Sequence, residues 1–357
     1  MGKKKVTLKD IGDAAGISSA SVSMILAKKS LSRFSPDTVD SVFALARELG
    51  YERRSDKYSK KMLIIICPSV INPYFATLIQ GMEQEATHRG IDTMLFTTYW
   101  DTERERKVCE FARDPMIAGV VFAMIPQQPE MARKLNETLP VVAVGDKQNE
   151  SGLDTVDVNN YNAGSLVGKH LLDLGHRKVA YVSTSLNSEH SARVRRYEGL
   201  KAEFKRAGGS CRLSLYTADI PSSTELNTVD IEHRTGYELA QKCMRETPEV
   251  TAIVAINDMV GYGVIDAIGD AGFRIPEDYS VCGFDNIYPS SFYGVSLTTV
   301  EHSIIQVGKS AIRLISDKIA KKSSMVADPD AVTRVEYRCK LIARNSTGAP
   351  GYREPSL

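Results

Sequence analysis

Two successive runs of alternating strands and helices fill most of the chain and restrict its fold more than any other feature. Met62–Cys67 is an unbroken apolar segment, typical of a strand buried on both faces of a parallel sheet. A helix pattern over residues 73–90 follows, and strands and helices then alternate as far as residue 144. The alternation begins again at residue 162 and continues to residue 284. This rhythm predicts two doubly wound parallel-sheet lobes with a cleft between them.

The segments on either side of this region have a different composition. A helix pattern over residues 304–321 and a strand pattern over 332–341 follow two finished lobes, so we expect the chain to cross back between the lobes. We assign residues 62–344 to one two-lobed α/β domain. Residues 345–357 contain Gly, Pro and polar residues and are predicted to be a disordered tail. Residues 51–61 are almost wholly polar and are predicted to be a linker.

Residues 1–50 predict a separate, all-α helix-turn-helix domain. Thr7 can cap a first helix over residues 8–15, Gly16 suits the turn, and Ser18 can cap a second helix. Ser35-Pro36 signals a third helix, since serine is a good cap and proline suits the first helical turn. Two short helices and a turn present a polar helix face that is shaped to enter a DNA major groove.

The distribution of charge favours DNA binding over the alternative of a generic three-helix cap. Residues 1–61 hold 13 Lys and Arg against 7 Asp and Glu, whereas the net charge of the whole chain is +1. A basic head on an acidic body is typical of a protein that binds the phosphate backbone. The outer face of the second helix also carries small uncharged groups that permit close approach to DNA, namely Ser18, Ser19, Ala20, Ser21 and Ser23.

Several motifs resemble those of lactose-repressor (LacI/GalR) family transcription regulators. In the head they are Val6-Thr7-Leu8-Lys9-Asp10-Ile11, Ala15-Gly16-Ile17-Ser18 and Ser21-Val22-Ser23. In the body they include Arg196-Tyr197-Glu198-Gly199, Ala255-Ile256-Asn257-Asp258 and Val281-Cys282-Gly283-Phe284-Asp285-Asn286. The resemblance implies a periplasmic-binding-protein-like core that dimerises, and a pseudo-palindromic double-stranded DNA operator as partner.

The resemblance also implies which residues of the head contact DNA. Thr7, Ser18 and Ser23 lie where hydroxyls meet phosphates, and Lys9 lies in the same motif. Ser19, Ala20 and Met24 lie at positions that read bases. Many relatives have Arg in place of Met24, and Met can pack only on apolar groups such as a thymine methyl. In relatives this linker forms a hinge helix whose leucine wedges into the minor groove, and this linker has no leucine. A hinge helix and a basic tether that touches phosphates are both open alternatives here, and Arg53 and Arg54 suit the tether.

Polar and aromatic residues follow the predicted strands, where ligands of open α/β sheets bind. Candidates from the first lobe are Asn72, Tyr74, Phe75 and Trp100, and those that follow are His190, Arg196, Asn257, Asp285 and His302. Asn72 could instead be a loop or cap residue, and Phe75 could belong to the core. Arg196 and Asp285 are harder to explain as core residues, because buried charges need partners. Asp258 is predicted to cap the helix that begins at Met259, and His302 stands where sugar-binding relatives often have Gln.

These features together predict a DNA-binding transcriptional regulator, acting as a repressor, that is switched by a small polar metabolite such as a sugar. A transport receptor is disfavoured because the N-terminus lacks the apolar stretch of a signal peptide. An enzyme is disfavoured because the sequence has no P-loop, no G-x-S-x-G motif and no His/Cys cluster at zinc spacing. We therefore expect no cofactor and no metal site. The short apolar runs and scattered cysteines predict a cytoplasmic protein without membrane segments, and the family resemblance implies that it is a homodimer.

Overall fold

A computed structural model describes residues 6–26, 31–49, 51, 62–145, 152–186, 191–221, 224, 228–323 and 331–351. Contacts between residues divide the chain into two units, Met1–Lys60 and Lys61–Leu357. The linker predicted over residues 51–61 lies outside the described residues, except for Tyr51.

The described residues of the first unit form three α-helices around a small apolar core. They are α1 (Leu8–Ala15), α2 (Ser19–Leu26) and α3 (Pro36–Glu48). Thr7 caps α1 in a reciprocal capping box with Asp10, and Gly16 ends this helix at a φ of 69°. Ile11, Val22, Ile25 and Val42 are completely buried between the helices. The predicted helix starts and the predicted turn are therefore present, and they leave the outer face of α2 at the surface.

The first lobe of the second unit is a six-stranded parallel sheet in the order β11-β5-β4-β3-β1-β2. Its strands are β1 (Met62–Cys67), β2 (Thr93–Thr97), β3 (Ile117–Phe122), β4 (Val141–Val144), β5 (Asp154–Val158) and β11 (Arg334–Tyr337). Its helices are α4 (Pro73–His88), α5 (Thr102–Phe111), α6 (Pro129–Thr138) and α11 (Ile304–Ser323). The near-continuous apolar strands are buried because helices cover the sheet.

The second lobe repeats this plan with a four-stranded parallel sheet in the order β7-β6-β8-β9. Its strands are β6 (Lys178–Ser183), β7 (Arg212–Thr217), β8 (Ala252–Ala255) and β9 (Ser280–Cys282). Its helices are α7 (Asn160–Asp173), α8 (Ser191–Ala207), α9 (Ile231–Glu246) and α10 (Asp258–Asp270). Helices α7 and α8 pack against each other, as do α9 and α10. The predicted doubly wound fold is thus confirmed for both lobes.

The chain passes from one lobe to the other after β5, after residue 301 and after β11. Strands β10 (Thr299–Glu301) and β12 (Lys340–Ile342) pair antiparallel and form two of these crossings. The expected return of the chain is therefore present, but the strand predicted over residues 332–341 is two strands in different sheets. Strand β5 was not predicted, because its acidic residues interrupt the apolar pattern. Asp154 within it is nevertheless buried, since Lys318 Nζ lies 2.9 Å from its carboxylate and Thr333 N donates to it.

The predicted disordered tail is wrong for residues 345–351, which pack on the second lobe. Ser346 is only 2% exposed, and its hydroxyl donates to Val281 O over 2.6 Å. Val281 N in turn donates to Ser346 O. The imidazole of His176 lies 2.9 Å from Gly348 O. Residues 345–351 are ordered because their backbone groups make hydrogen bonds with buried polar groups of the second lobe. Amino-acid composition alone does not predict these hydrogen bonds. Residues 352–357 lie outside the described residues.

None of the helices described is both long enough and apolar enough to cross a membrane.

Candidate ligand-binding cleft

A cavity of about 750 Å³ lies between the two lobes, at the carboxyl ends of their strands. Seven of the nine residues predicted for a binding site line this cavity: Asn72, Tyr74, Phe75, Trp100, Arg196, Asn257 and Asp285. His190 lies outside the described residues, and His302 lies behind the cavity wall. The two α/β runs thus bring together side chains that are more than 200 positions apart in the sequence, such as Asn72 and Asp285.

The two lobes contribute opposite chemistry to the cavity. The first lobe provides mainly apolar and aromatic groups, namely Tyr74, Phe75, Trp100, Met124 and Ile125. The second lobe provides polar and charged groups, namely Arg193, Arg196, Glu232, Asn257 and Asp285. Trp100 reaches the cavity through a tight turn in which both Tyr99 and Trp100 have positive φ, 52° and 55°. A ligand with one apolar face and several polar groups suits such a pair of walls.

The guanidinium of Arg196 is held on all three of its nitrogens. Nε donates to Asn160 Oδ1 over 3.0 Å, Nη1 donates to Ile256 O over 2.9 Å, and Nη2 donates to Asp285 Oδ1 over 3.0 Å. The guanidinium also lies over the ring of Phe284. These contacts fix the position of a buried charge, as a binding residue requires.

Asp285 occupies a strained turn at the end of the second lobe's sheet. Its φ is 102°, a region that side chains other than glycine rarely adopt, and Asn286 follows with a φ of 51°. Burial raises the pKa of Asp285, but the charge of Arg196 and the hydrogen bonds from His302 and Arg196 outweigh it. The pKa therefore lies below its ordinary value, and the carboxylate is ionised in the cleft.

His302 supports Asp285 instead of lining the cavity, so its assignment as a cavity residue is corrected. Its side chain is 1% exposed, and Nδ1 lies 3.1 Å from Asp285 Oδ1. Burial lowers the pKa of His302, and the charge of Arg196 lowers it further, so the ring is neutral. We assign the proton to Nδ1, since Asp285 needs a donor there. The ring nitrogen Nε2 has no hydrogen-bond partner in the part of the chain that the structure describes.

Two asparagines act both as helix caps and as cavity residues, so the two interpretations of Asn72 are compatible. Asn72 Oδ1 accepts a hydrogen bond from Tyr74 N at the start of α4, and Asn257 Oδ1 accepts one from Val260 N at the start of α10. Their amide nitrogens both donate to Glu232. Asn257 therefore caps α10, the helix for which Asp258 was predicted to be the cap.

Asp258 has a structural role that the sequence did not reveal. It is completely buried at the first position of α10, and its carboxylate accepts hydrogen bonds from Ile287 N, Ser290 Oγ and Thr299 Oγ1. Burial and the nearby charge of Asp285 raise its pKa from 3.8 to about 7. It holds the segment that follows Asp285 against β10.

Several cavity residues were missed by the sequence-based prediction. Asp157 and Asn160 flank the end of β5, the strand that was not predicted, so no sheet edge was available to place them. Glu232 was missed because the helix was expected to begin at Arg234, whereas it begins at Ile231. Arg193 belongs to α8, one turn before Arg196, and that spacing was the signal that could have found it. No group of three or more His, Cys, Asp or Glu suitable for a metal occurs among the described residues.

The predicted DNA-contacting residues of the first unit lie around α1 and α2. Ser19 and Ala20 are exposed at the start of α2, and Met24 is half-buried one turn later. Ser18 Oγ accepts a hydrogen bond from Ser21 N, so this hydroxyl also caps α2. Thr7 and Lys9 lie at the start of α1, and Ser23 lies within α2. Arg53 and Arg54 lie outside the described residues, and all these DNA contacts stay predictions.

Comparison with known families decides the assignment of the body. Residues 60–344 match the family described as periplasmic binding proteins and sugar binding domain of LacI family. The chain belongs to the LacI family. As a member of it, the protein is a DNA-binding transcriptional regulator controlled by a small-molecule effector, and the predicted family resemblance is confirmed.

Relatives of this LacI-family chain share both its length and its fold. The HTH-type transcriptional repressor PurR of Haemophilus influenzae (strain PittEE) is 28% identical over 348 residues, which cover 95% of this chain and 98% of the relative. A LacI family transcriptional regulator from Enterococcus faecium, solved with bound ribose, has a TM-score of 0.66 and 22% identity over 81% of this chain and 99% of that one. The lac repressor dimer bound to operator and the anti-inducer ONPF has a TM-score of 0.66 and 21% identity. The match covers 97% of this chain and 100% of that one.

Proposed function

We propose that this regulator is a repressor whose operator affinity is set by a sugar or sugar derivative bound in the cleft between the lobes. The observation that carries the proposal is the pairing of an aromatic wall with a wall of fixed charges around one cavity of about 750 Å³. Aromatic rings cover the C–H face of a sugar, while Asp285 and Arg196 offer charge-assisted hydrogen bonds to hydroxyl groups. The ribose held by the Enterococcus faecium regulator supports this class of effector.

The proposal assigns the effector contacts to Asn72, Tyr74, Phe75, Trp100, Arg196, Asn257 and Asp285. His190 stays a candidate because it follows a predicted strand of the second lobe, and His302 acts on the effector through Asp285. Occupation of the cleft changes the relative stability of two arrangements of the lobes, and this difference in affinity is what couples effector to DNA. We propose that the protein acts as a cytoplasmic homodimer, because two copies of a helix-turn-helix read a pseudo-palindromic operator.

In the head, we propose that Thr7, Lys9, Ser18 and Ser23 hold the phosphate backbone while Ser19, Ala20 and Met24 face the bases. The exposure of Ser19 and Ala20 at the start of α2 supports this division, since the start of a recognition helix enters the groove. Arg53 and Arg54 add charge for the backbone in the adjoining segment.

Two experiments test the proposal. Thermal unfolding is followed with a panel of sugars, sugar acids and nucleobases, since a ligand that binds the folded protein raises its stability. Gel shifts with duplexes from the promoter region of its own gene, with and without the hits, then measure operator affinity. Arg196→Ala and Asp285→Ala should abolish the ligand-dependent thermal shift, whereas Arg212→Ala, at an exposed position of β7, should keep it. A full shift in the first two variants would contradict the site, and loss of duplex preference would contradict the function.

A further inference from the structure

The carboxylate of Glu232 connects the two lobes across the cleft. Oε2 accepts a hydrogen bond from Asn72 Nδ2 of the first lobe over 3.0 Å. Oε1 accepts one from Asn257 Nδ2 of the second lobe over 2.7 Å. Glu232 is only 7% exposed and lines the cavity itself. A single side chain therefore holds an amide from each lobe at the place where the effector is proposed to bind.

The direction of both hydrogen bonds is determined by the helix caps. The oxygen of each asparagine amide already accepts a backbone N–H, from Tyr74 in one case and from Val260 in the other. The amide nitrogens must consequently point away from the helices, and they require an acceptor when buried. Glu232 supplies this acceptor from the first turn of α9, where the helix dipole favours a negative charge. Arg193 Nη2, which lies 3.9 Å from Oε1, favours the same ionised state.

We propose that Glu232 couples closure of the cleft to the state of the effector site. The bridge between Asn72 and Glu232 holds the lobes together in the absence of effector, and an effector that separates the two residues weakens this hold. Glu232 is thus a positioning residue for the proposed regulatory function, on which the inference rests. Because the bridge is made entirely by the chain itself, its existence is testable without effector or DNA.

The only tryptophan of the chain reports on the cleft. Trp100 lines the same cavity from the first lobe, so opening of the cleft exposes its indole to water and to acrylamide. The measurement is the acrylamide quenching constant and the emission maximum of Trp100 in the full-length protein, after unfolding and refolding to remove any bound small molecule. Loss of a hydrogen bond to a buried charged group should raise the ratio of open to closed cleft about tenfold or more.

Asn72→Asp and Glu232→Gln each break the bridge by a different route. Asn72→Asp keeps the oxygen that caps α4 but places a carboxylate opposite Glu232. Glu232→Gln leaves one oxygen for two asparagine donors. Both variants should raise the quenching constant and shift the emission to the red. Glu198→Gln and Asn162→Asp, which make the same chemical changes at exposed positions of α8 and α7, should match the wild type.

The double variant Asn72→Asp/Glu232→Gln provides the decisive test. The glutamine amide introduced at position 232 can accept from Asn257 and donate to the new carboxylate at position 72, so the bridge re-forms with one donor and one acceptor exchanged. We expect its quenching constant to return toward the wild-type value. Unchanged quenching in the single variants, or a double variant that is as exposed as the two singles together, would overturn the bridge.

A substitute variant and a separate readout keep the two proposals distinguishable. Asn72→Ser, which also retains a capping oxygen, replaces Asn72→Asp if that variant does not fold, and it should likewise raise quenching. Failure of duplex binding in the gel shift would bear on the proposed function and leave these fluorescence results standing.

Discussion

A Cβ atom placed on Gly164 would lie 1.9 Å from the backbone carbonyl oxygen of Arg196. The reciprocal contact is equally close, since a Cβ on Gly199 would lie 2.0 Å from Tyr161 O. Helices α7 and α8 therefore cross with their backbones in contact. This crossing determines how deeply Arg196 reaches into the cleft and keeps its Nε within hydrogen-bonding distance of Asn160.

We predict that Gly164→Ala destabilises the protein and weakens effector binding, because the added methyl forces α8 and Arg196 outward. Overpacking of this kind costs about 1–3 kcal/mol. Gly269→Ala is the matched control, since Gly269 lies in α10 and a Cβ there has no neighbour within 4 Å. The control should gain about 0.5–1 kcal/mol from the better helix propensity of alanine. Urea unfolding measures both changes, and equal stabilities for the two variants would contradict the prediction.

Removal of Arg196 should lower the unfolding free energy, because it leaves the buried charge of Asp285 without its arginine partner. Arg196→Ala leaves the Asp285 carboxylate with His302 as the remaining side-chain donor among the contacts given above, and we expect a loss of about 3–5 kcal/mol in unfolding free energy. Asp285→Asn in the same background removes the unpaired charge and should restore part of this loss. Denaturant unfolding of the four proteins of this double-mutant cycle gives the coupling. Strict additivity would show that the two side chains are not coupled.

The raised pKa of Asp258 should make the unfolding free energy of the protein depend on pH. Because its pKa is raised from 3.8 to about 7, the folded protein keeps a proton that the unfolded chain releases over this interval. The contribution of this group to stability is therefore fully present below pH 3.8 and is lost as the pH rises through about 7. Asp258→Asn cannot titrate, and its stability relative to wild type should rise with pH across this window. A constant difference between the two proteins from pH 3.8 to about 7 would show that the pKa of Asp258 is not raised.

Anionic sugars should bind more weakly than their uncharged counterparts. Each described arginine that lines the cavity already has a carboxylate nearby, with nitrogen–oxygen distances of 2.8 Å for Arg133–Glu130, 3.9 Å for Arg193–Glu232 and 3.0 Å for Arg196–Asp285. A phosphate or carboxylate in the ligand would have to compete with these groups. Thermal shifts with pairs such as ribose and ribose 5-phosphate, or glucose and gluconate, test the expectation. It fails if any anionic member of a pair gives the larger shift.

Because of Met24, this regulator should prefer a different base pair at one operator position from relatives that have arginine there. Methionine can pack on a thymine methyl, but it cannot make the paired hydrogen bonds that arginine makes with guanine. Selection from a randomised duplex library should therefore give no strict guanine opposite Met24, and Met24→Arg should introduce that preference with a discrimination of about 1–3 kcal/mol. Ser32→Arg, outside α1 and α2, adds the same charge and should leave the selected sequence unchanged. Recovery of a strict guanine with the wild-type protein would refute the interpretation of Met24.

Features with a local physical cause were predictable from the sequence. Continuous apolar strands such as Met62–Cys67, caps such as Thr7 and Asn72, and the order of strands and helices follow from periodicity and hydrogen-bonding needs of neighbouring residues. The position of Asp285 in the cleft also followed, because parallel strands end at one edge of a sheet, and Arg196 was expected there because it lies on the helix after such a strand.

Features that depend on distant partners were not predictable. Strand β5 has no apolar run that would predict it. It can nevertheless be buried, because Lys318, far away in the sequence, pairs with the carboxylate of Asp154. His302 was expected to line the cavity, but it lies behind Asp285, because β10 pairs with the backbone at Asp285. The role of Glu232 arises only when Asn72 and Asn257 are brought to it from different lobes. In each case the deciding contact joins segments whose separation in the chain hides it.

The packing of residues 345–351 has a practical consequence for where the regulator can be cut. The family match ends at residue 344, yet Val281 N and His176 Nε2 find their acceptors in Ser346 O and Gly348 O. A shortened chain that stops at the end of the match would leave Val281 N without this acceptor, at a cost of about 1–3 kcal/mol for an unsatisfied buried group. His176 Nε2 would lose Gly348 O and keep Ser280 Oγ, which lies 3.1 Å away. The folding unit of the sensor thus extends past the border drawn by sequence similarity, and its final contacts lie in the segment that looks most expendable.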